Sequence, residues 1–322
     1  MTLVSIEEIG QVRVVVCVPT FARPKELAAC LASIARQKLS NSRYAVVEVL
    51  VADNAPDGDA LRFVKSVEAD YPFKIAAIHV PDRGLCNVRN ALFAKARVRA
   101  DLIALIDDDE EAMEGWLDSL LSAAKIHDAD AVVGPVFPRH DEGAPRWYLL
   151  ARADHMHPGL MLVPTGSPSP KRATHNTLIS VRLLDALSYP WFPPELNFAG
   201  SEDRAFFDRA KRLGFGNVIW CAEARVEEFV PMSRMTPHFF LKRCLQRGSS
   251  EVAAERIVAR EFPQRFRRWV VPWLKTIAVI FKATLMMPLV PLPRFRYRAA
   301  KTLLYGFGRV KGHLGAAQEL YR

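Results

Sequence analysis

From Arg13 to Phe137 short apolar, β-branched runs alternate with segments of helical period. This constrains the fold more than any other feature. A parallel sheet with helical crossovers buries both faces of its strands, so those strands read as continuous apolar runs. RVVVCVP (Arg13 to Pro19) and AVVEVLVAD (Ala45 to Asp53) are such runs. Between them Arg23-Pro24 opens a helix with Leu27, Leu31 and Ile34 on its inner face; Pro24 sits near the first turn, where a missing N–H costs little. A helix through Leu61, Val64 and Val67, a strand near Lys74 to His79, a helix from Asn87 to Arg99 and the strand DLIALID (Asp101 to Asp107) follow. Helix Glu114 to His127 and strand AVVGPVF (Ala131 to Phe137) complete the alternation. From Pro138 to Lys171 the period fails and long loops are expected. A strand near Asn176 to Val181, a helix Ser201 to Leu213 closed by Gly214, a strand Asn217 to Cys221 and a helix Pro237 to Gln246 ended by Gly248 are expected after it. The expected body is residues 1 to 260, and the tail 261 to 322.

Net charge is +9, and its placement carries the information. From Arg260 to Arg322 thirteen Lys and Arg stand against Glu261 and Glu319, a balance of +11, which leaves −2 for the rest. A nucleic-acid-binding body would carry its own positive field, so no nucleic-acid partner is expected. A basic tail rich in apolar residues suits an anionic membrane surface instead. WVVPWLKTIAVIFKATLMMPLVPLP (Trp269 to Pro293) is interrupted by Lys275 and Lys282, which argues against a bilayer span. These lysines are seven apart and share a helix face, as an in-plane helix requires; packing on the body is the alternative. Five scattered cysteines without a Cys-x-x-Cys pair suggest a reducing compartment, and no secretory signal is legible, so a cytoplasmic location is expected.

Ligands of parallel α/β sheets sit beyond the carboxyl ends of the strands. Here those ends carry Thr20 and Arg23, then Asp53-Asn54, then Asp107-Asp108-Asp109-Glu110-Glu111. Crowded acids repel unless a cation or hydrogen-bond donors compensate them, and Mg²⁺ or Mn²⁺ fits that task. The plainer reading is that the triplet favours the helix near Glu114 through its dipole, and that Asp53 forms a turn. Ser201-Glu202-Asp203 likewise reads as an N-cap with acids in the first turn, or as a carboxylate placed for general-base work.

Taken in order, Val18-Pro19-Thr20-Phe21-x-Arg23-Pro24, VLVADNA, Arg83-Gly84-Leu85-x-x-x-Arg89-Asn90, LIALIDDDEE with Trp116-Leu117, and GSEDRAFFDRAKRLGF resemble family 2 glycosyltransferases of the bacterial exopolysaccharide type. The resemblance covers roughly residues 12 to 250. It implies a GT-A fold: α/β, Rossmann-like, a mostly parallel sheet flanked by helices, here with a basic apolar helical tail. It also implies a nucleotide-diphospho-sugar donor, a divalent cation (Mg²⁺ or Mn²⁺) and inversion at the anomeric carbon. By the same resemblance Thr20 and Asp53 would meet the nucleoside, and Arg89 would lie near the diphosphate or order the acidic loop. Asp107 and Asp109 would fill the outer places of D-x-D, with Asp109 the likelier metal ligand and Asp108 between them at the donor. Asp203 would be the base, Glu202 the second candidate.

Downstream, Arg234, Arg243 and Arg247 are candidates to cover the diphosphate, or solvated cations of an amphipathic helix. Some family members place a metal-binding His here; this chain has Glu227-Glu228, with His238 the nearest His. Trp147, Tyr148, His155, His157, Trp191 and Phe192 could line an acceptor subsite or fill the core. The expected reaction is transfer of a hexose, from UDP-sugar by resemblance, to a saccharide or lipid-linked saccharide. Two rivals stay open. One is a metal-dependent nucleotidyltransferase, which the lack of a glycine-rich phosphate loop near the first strand disfavours. The other is a non-catalytic sugar-nucleotide-binding membrane protein.

Overall fold

The computed structural model describes residues 11–40, 44–140, 143–152, 162–262 and 267–315. At the centre of the main sheet lies β1 (Val12–Thr20), buried from Val14 onward. Its residues alternate between two apolar layers, which is why the run is continuous rather than periodic. Val14, Val16 and Val18 pack with Leu27, Leu31 and Ile34 on one side; Val15 and Cys17 pack with Leu92, Phe93 and Phe206 on the other. Each such side chain is worth about 1.5–3 kcal/mol of burial.

Helix α1 (Pro24–Ala35), β2 (Tyr44–Asp53), α2 (Asp59–Val67), β3 (Ile75–His79), α3 (Leu85–Ala96) and β4 (Leu102–Leu105) follow the expected alternation. Strand β2 runs parallel to β1 with Thr20 opposite Asp53, and β4 runs parallel on the other flank with Cys17 opposite Leu105. The polar ends of β1, β2 and β4 therefore leave the sheet along one edge. Next come β5 (Glu110–Ala112), α4 (Trp116–Ile126), β6 (Ala131–Val133), β7 (Val136–His140), α5 (Arg146–Arg152), β8 (Thr177–Ser180), α6 (Val181–Ala186), α7 (Glu202–Arg212), β9 (Val218–Trp220) and β10 (Val226–Val230). The seven-stranded sheet has the order β3-β2-β1-β4-β8-β6-β9, and only β8 runs antiparallel to its neighbours. A three-stranded sheet, β5-β10-β7, stands beside it. This is the mostly parallel, helix-flanked sheet expected.

Three expectations need correction. The run from Ala131 to Phe137 is two strands in two sheets, because the chain turns at Gly134-Pro135; a Cβ on Gly134 would overlap the Ala224 carbonyl and Asn176. Within 138–171, expected as loops, β7 continues to His140 and α5 forms. Helix α8 (Pro237–Glu261) does not end at Gly248 but runs through it. The reason lies in the tail, which forms α9 (Arg267–Met286) and α10 (Pro293–His313). Helices α8 and α10 approach so closely that a Cβ on Gly248 would overlap the Tyr305 carbonyl, and one on Gly308 the Leu245 carbonyl. Gly248 is a packing notch, not a terminator.

Helix α9 buries Thr276 and Ala283 and exposes Leu274, Ile277, Phe281 and Leu285 along one stripe. Val270–Leu289 is long and apolar enough to cross a membrane by length and composition, so the two lysines interrupt it less than expected. Lys275 is drawn to Glu255 of α8 at 3.0 Å. All five cysteines are buried and unpaired.

Overpacking a tight contact costs about 1–3 kcal/mol. Gly248→Ala should therefore destabilise the chain by about that amount in urea unfolding; an unchanged midpoint and slope would contradict the close approach of α8 and α10.

Candidate active site

Four segments bring titratable side chains to the edge where β1 and β4 end. Asp107-Asp108-Asp109 follow β4, Glu110 opens β5, Thr174-His175 precede β8, and Glu202-Asp203 open α7. Arg89 of α3 stands in their midst, 2% exposed. Its Nη1 donates to Glu202 Oε1 at 2.6 Å and to Asp203 Oδ1 at 2.8 Å, and its Nη2 lies 3.6 Å from Asp107 Oδ1. A guanidinium stays charged in such a place, as an ammonium need not. It therefore screens three carboxylates that would otherwise repel one another. The loop before α3 is set by Asn54, whose side chain donates to the Val80 and Asp82 carbonyls and accepts from Gly84 N. Gly84 has φ +139° and no room for a Cβ beside Asn197. So the strand-end Asp53-Asn54 pair helps to aim the helix that carries Arg89.

A second arginine serves the acidic triplet. Arg23 Nη1 donates to Asp108 Oδ1 at 2.9 Å and to Asp109 Oδ2 at 2.8 Å. Thr20 Oγ1 donates to Asp108 Oδ2 at 2.8 Å. Arg234 Nη2 reaches Asp109 at 3.4 Å while its Nη1 faces Glu228. Burial pushes the Asp108 carboxyl up to about 6, against the pull of Arg23. Asp107 is likewise raised by burial, with Arg89 opposing.

Of the expected residues, Thr20, Arg23, Arg89, Asp107, Asp108, Asp109, Glu202, Asp203 and Arg234 meet in this cluster. Asp53 lies at the same sheet edge but turns into the start of α2, accepting from Ala55 N and Ala60 N at 2.8 Å. Arg247 does not join the cluster; it is exposed on α8, 3.2 Å from Glu251. Ser201 occupies the N-cap position of α7, as expected, but its side chain makes no capping bond: it has φ 67° and its hydroxyl pairs with Ser250 at 2.8 Å. Trp191 and Phe192 pack in the core around Phe93, and Tyr148 packs with Val230 and Met235. His155 and His157 lie outside the described residues.

Two participants, Thr174 and His175, were not singled out from sequence, and Glu110 was named only among the strand-end acids. Thr174 Oγ1 donates to Asp203 Oδ1. His175 Nδ1 lies 2.8 Å from Glu110 Oε1, and Glu110 Oε2 accepts from Asp107 N at 3.1 Å. Burial raises Glu110 to about 7 against the attraction of His175. For His175 burial disfavours the charge, but Glu110, Asp107 and Asp203 outweigh it and raise the ring to about 10. The one sequence signal was a His-Asn pair just before an apolar strand, in a stretch with no period. Asp107, Glu110 and His175 each present a ligand atom within 4.8 Å of the others. Two carboxylates and an imidazole suit Mn²⁺, and the carboxylates alone suit Mg²⁺. The residues fit a divalent cation, and the histidine of this cluster is His175.

The profile described as Glycosyl transferase family 2 matches residues 15–187 of this chain. The chain belongs to that family. It is a glycosyltransferase, so the nucleotidyltransferase and non-catalytic readings give way. The succinoglycan biosynthesis protein ExoM of Rhizobium meliloti (strain 1021) is 31% identical over 233 residues, 72% of this chain and 71% of ExoM. Among solved structures, the mannosyltransferase PcManGT of Pyrobaculum calidifontis, in complex with GDP-Man and Mn²⁺, matches with a TM-score of 0.61 at 17% identity, over 95% of this chain and 88% of that one. TarS of S. aureus matches with a TM-score of 0.50 at 16% identity, over 93% of this chain and 55% of TarS. At such identities the likeness is one of fold, and the fold is GT-A.

Burial and the neighbouring Asp203 raise the Glu202 carboxyl from 4.5 to about 7, Arg89 opposing. A carboxyl raised in the folded state favours folding below its unfolded value and loses that contribution as pH rises through the folded one. Wild type should therefore lose stability relative to Glu202→Gln between pH 5 and 8. A stability difference between the two that does not change with pH would contradict the raised carboxyl.

Proposed function

We propose that this chain is an inverting hexosyltransferase that moves a hexose from a UDP-sugar to a hydroxyl of a saccharide, carried on a lipid, in bacterial cell-surface polysaccharide synthesis. One observation carries the reading: the strand-end acids after β4 and the Asp203 carboxylate of α7 share a single cleft around Arg89. The ExoM relative, described as a succinoglycan biosynthesis protein, favours polysaccharide synthesis over other uses of the family.

In a single displacement the acceptor oxygen forms a bond to the anomeric carbon as the bond from that carbon to the diphosphate breaks. The electron pair of that bond leaves on the diphosphate, and the hydroxyl proton passes to Asp203. Arg89 and Thr174 both hold Asp203 through Oδ1, so Oδ2 is the oxygen that takes the proton. Arg23 and Arg234 face the acids on the donor side and supply fixed positive charge where negative charge grows, the arrangement that lowers such barriers most. Thr20 fixes Asp108 at that same end of β1. A divalent cation, Mg²⁺ or Mn²⁺, neutralises the departing diphosphate when bound; Asp107 and Asp109, with Glu110 and His175, are the side chains that would hold it.

The same reading places the chain at the cytoplasmic face of the inner membrane, with α9 lying on the anionic surface. Support comes from the exposed stripe of Leu274, Ile277, Phe281 and Leu285, within a stretch, Arg260 to Arg322, whose charge balance is +11. The inner side of α9 is taken by protein, through Lys275 and Thr276, which favours lying on the surface over crossing it.

Loss of a general base costs about 10²–10⁴-fold. Asp203→Asn should lose transfer by that factor while a panel of UDP-glucose, UDP-galactose and UDP-N-acetylglucosamine, titrated with Mn²⁺, binds as to wild type. Transfer at the wild-type rate would remove Asp203 from the role. Separately, Ile277→Asp with Phe281→Asp should abolish co-sedimentation with phosphatidylglycerol vesicles; undiminished sedimentation would count against membrane docking by α9.

A further inference from the structure

We propose that the C-terminal helices are positioning elements for transfer: α10, through Arg309 and Tyr305, fixes α8, and α8 fixes the turn of α7 that carries Asp203. The proposal rests on Asp203 as the base and goes beyond that assignment. Asp203 is held by Arg89 and Thr174 on the cleft side. On the opposite side its turn is tied to α8 by side-chain hydrogen bonds. Gln246 Nε2 donates to the Ala199 carbonyl, and Ser250 pairs with Ser201 at 2.8 Å. Arg204, next to the base, sends Nη1 to Glu251 at 2.6 Å and Nη2 to Glu255 at 3.0 Å.

Those two glutamates are nearly closed to solvent and are completed from the tail. Glu255 receives Arg309 Nη2 at 2.9 Å and Lys275 Nζ at 3.0 Å; Glu251 receives the Tyr305 hydroxyl at 2.5 Å. Arg309 is 1% exposed, and its Nε donates to Thr276 of α9 at 3.0 Å. Thr276 in turn meets His313, whose ring stacks on Trp273 at 4.0 Å beside the exposed apolar stripe. A buried network of this kind tolerates few alternative arrangements, because each charge left unpaired there is costly. The glycine notch at Gly248 and Gly308 fixes the register of α10 on α8, so Arg309 reaches Glu255 without slack. The tail thus ends in the same polar core that anchors the base.

A group displaced by about 1 Å far from the reacting atoms can cost on the order of 10²-fold in rate. The test uses the full chain, the best-binding UDP-hexose of the panel above, Mn²⁺, and a bacterial lipid extract as acceptor. Removing both members of the buried pair, Glu255→Gln with Arg309→Met, takes away one charge of each sign, leaves Arg204 on Glu251 and Lys275 half-exposed to solvent, and should keep the melting temperature close to wild type. It should lower kcat toward that 10²-fold limit with donor KM unchanged. Arg309→Lys, which keeps the charge, should recover part of the loss. Ser250→Ala, a small change that removes the Ser201 tie, should move kcat the same way. A double variant with wild-type kcat overturns the proposal, as does one that loses donor affinity in step with kcat. Asp203→Asn tells the two ideas apart: turnover by that variant removes the base assignment, whereas its inactivity beside a fully active double variant removes only the clamp.

Discussion

The arrangement depends on one buried guanidinium. Arg89 touches Asp107 after β4 and the adjacent Glu202 and Asp203 of α7, two segments far apart in the chain, and without a fixed cation among them these carboxylates would push the β4 loop and the α7 turn apart. A cluster rich in acids and built this way has two uses for charge. In the proposed reaction it would present carboxylates to a divalent cation on one side and hold a separate carboxylate for the acceptor proton on the other. The cost of burying Arg89 is offset by three acidic partners rather than one, and the raised Glu202 carboxyl reflects its burial first and the neighbouring Asp203 second.

Much of the fold was legible in the sequence because strand burial on two sides writes itself as an unbroken apolar run. β1, β2 and β4 were read to within a residue or two for that reason. What periodicity could not separate was a run that serves two sheets, since Gly134-Pro135 redirects the chain without interrupting apolar character. Nor could it separate a glycine that ends a helix from one that lets a second helix approach. Gly248 has the same local sequence signature in both cases, and only the position of Tyr305 and Gly308, about sixty residues on, decides it.

The site divides in the same way. Acids at strand ends, Arg23 and Arg89 stand in ordered motifs and could be named. Thr174 and His175 lie at the end of a stretch without period, marked only by a His-Asn pair before an apolar strand; their proximity to Asp203 and Glu110 arises from the antiparallel pairing of β8 with β4. Arg247 was read as either a donor contact or a solvated cation of an amphipathic helix, and the helix turns it, exposed, toward Glu251. The aromatics at Trp191 and Phe192 took the commoner course of large apolar side chains and entered the core.

In the proposed reaction donor, cation and base share one cleft. A crystal structure with UDP and Mn²⁺, read by the anomalous signal of the metal, examines it most directly. The expected density places manganese among Asp107, Asp109, Glu110 and His175 with the diphosphate against it, and leaves Asp203 facing the open position where the sugar would lie. Manganese and UDP found away from these carboxylates, or Asp203 walled off from the bound nucleotide, would contradict it.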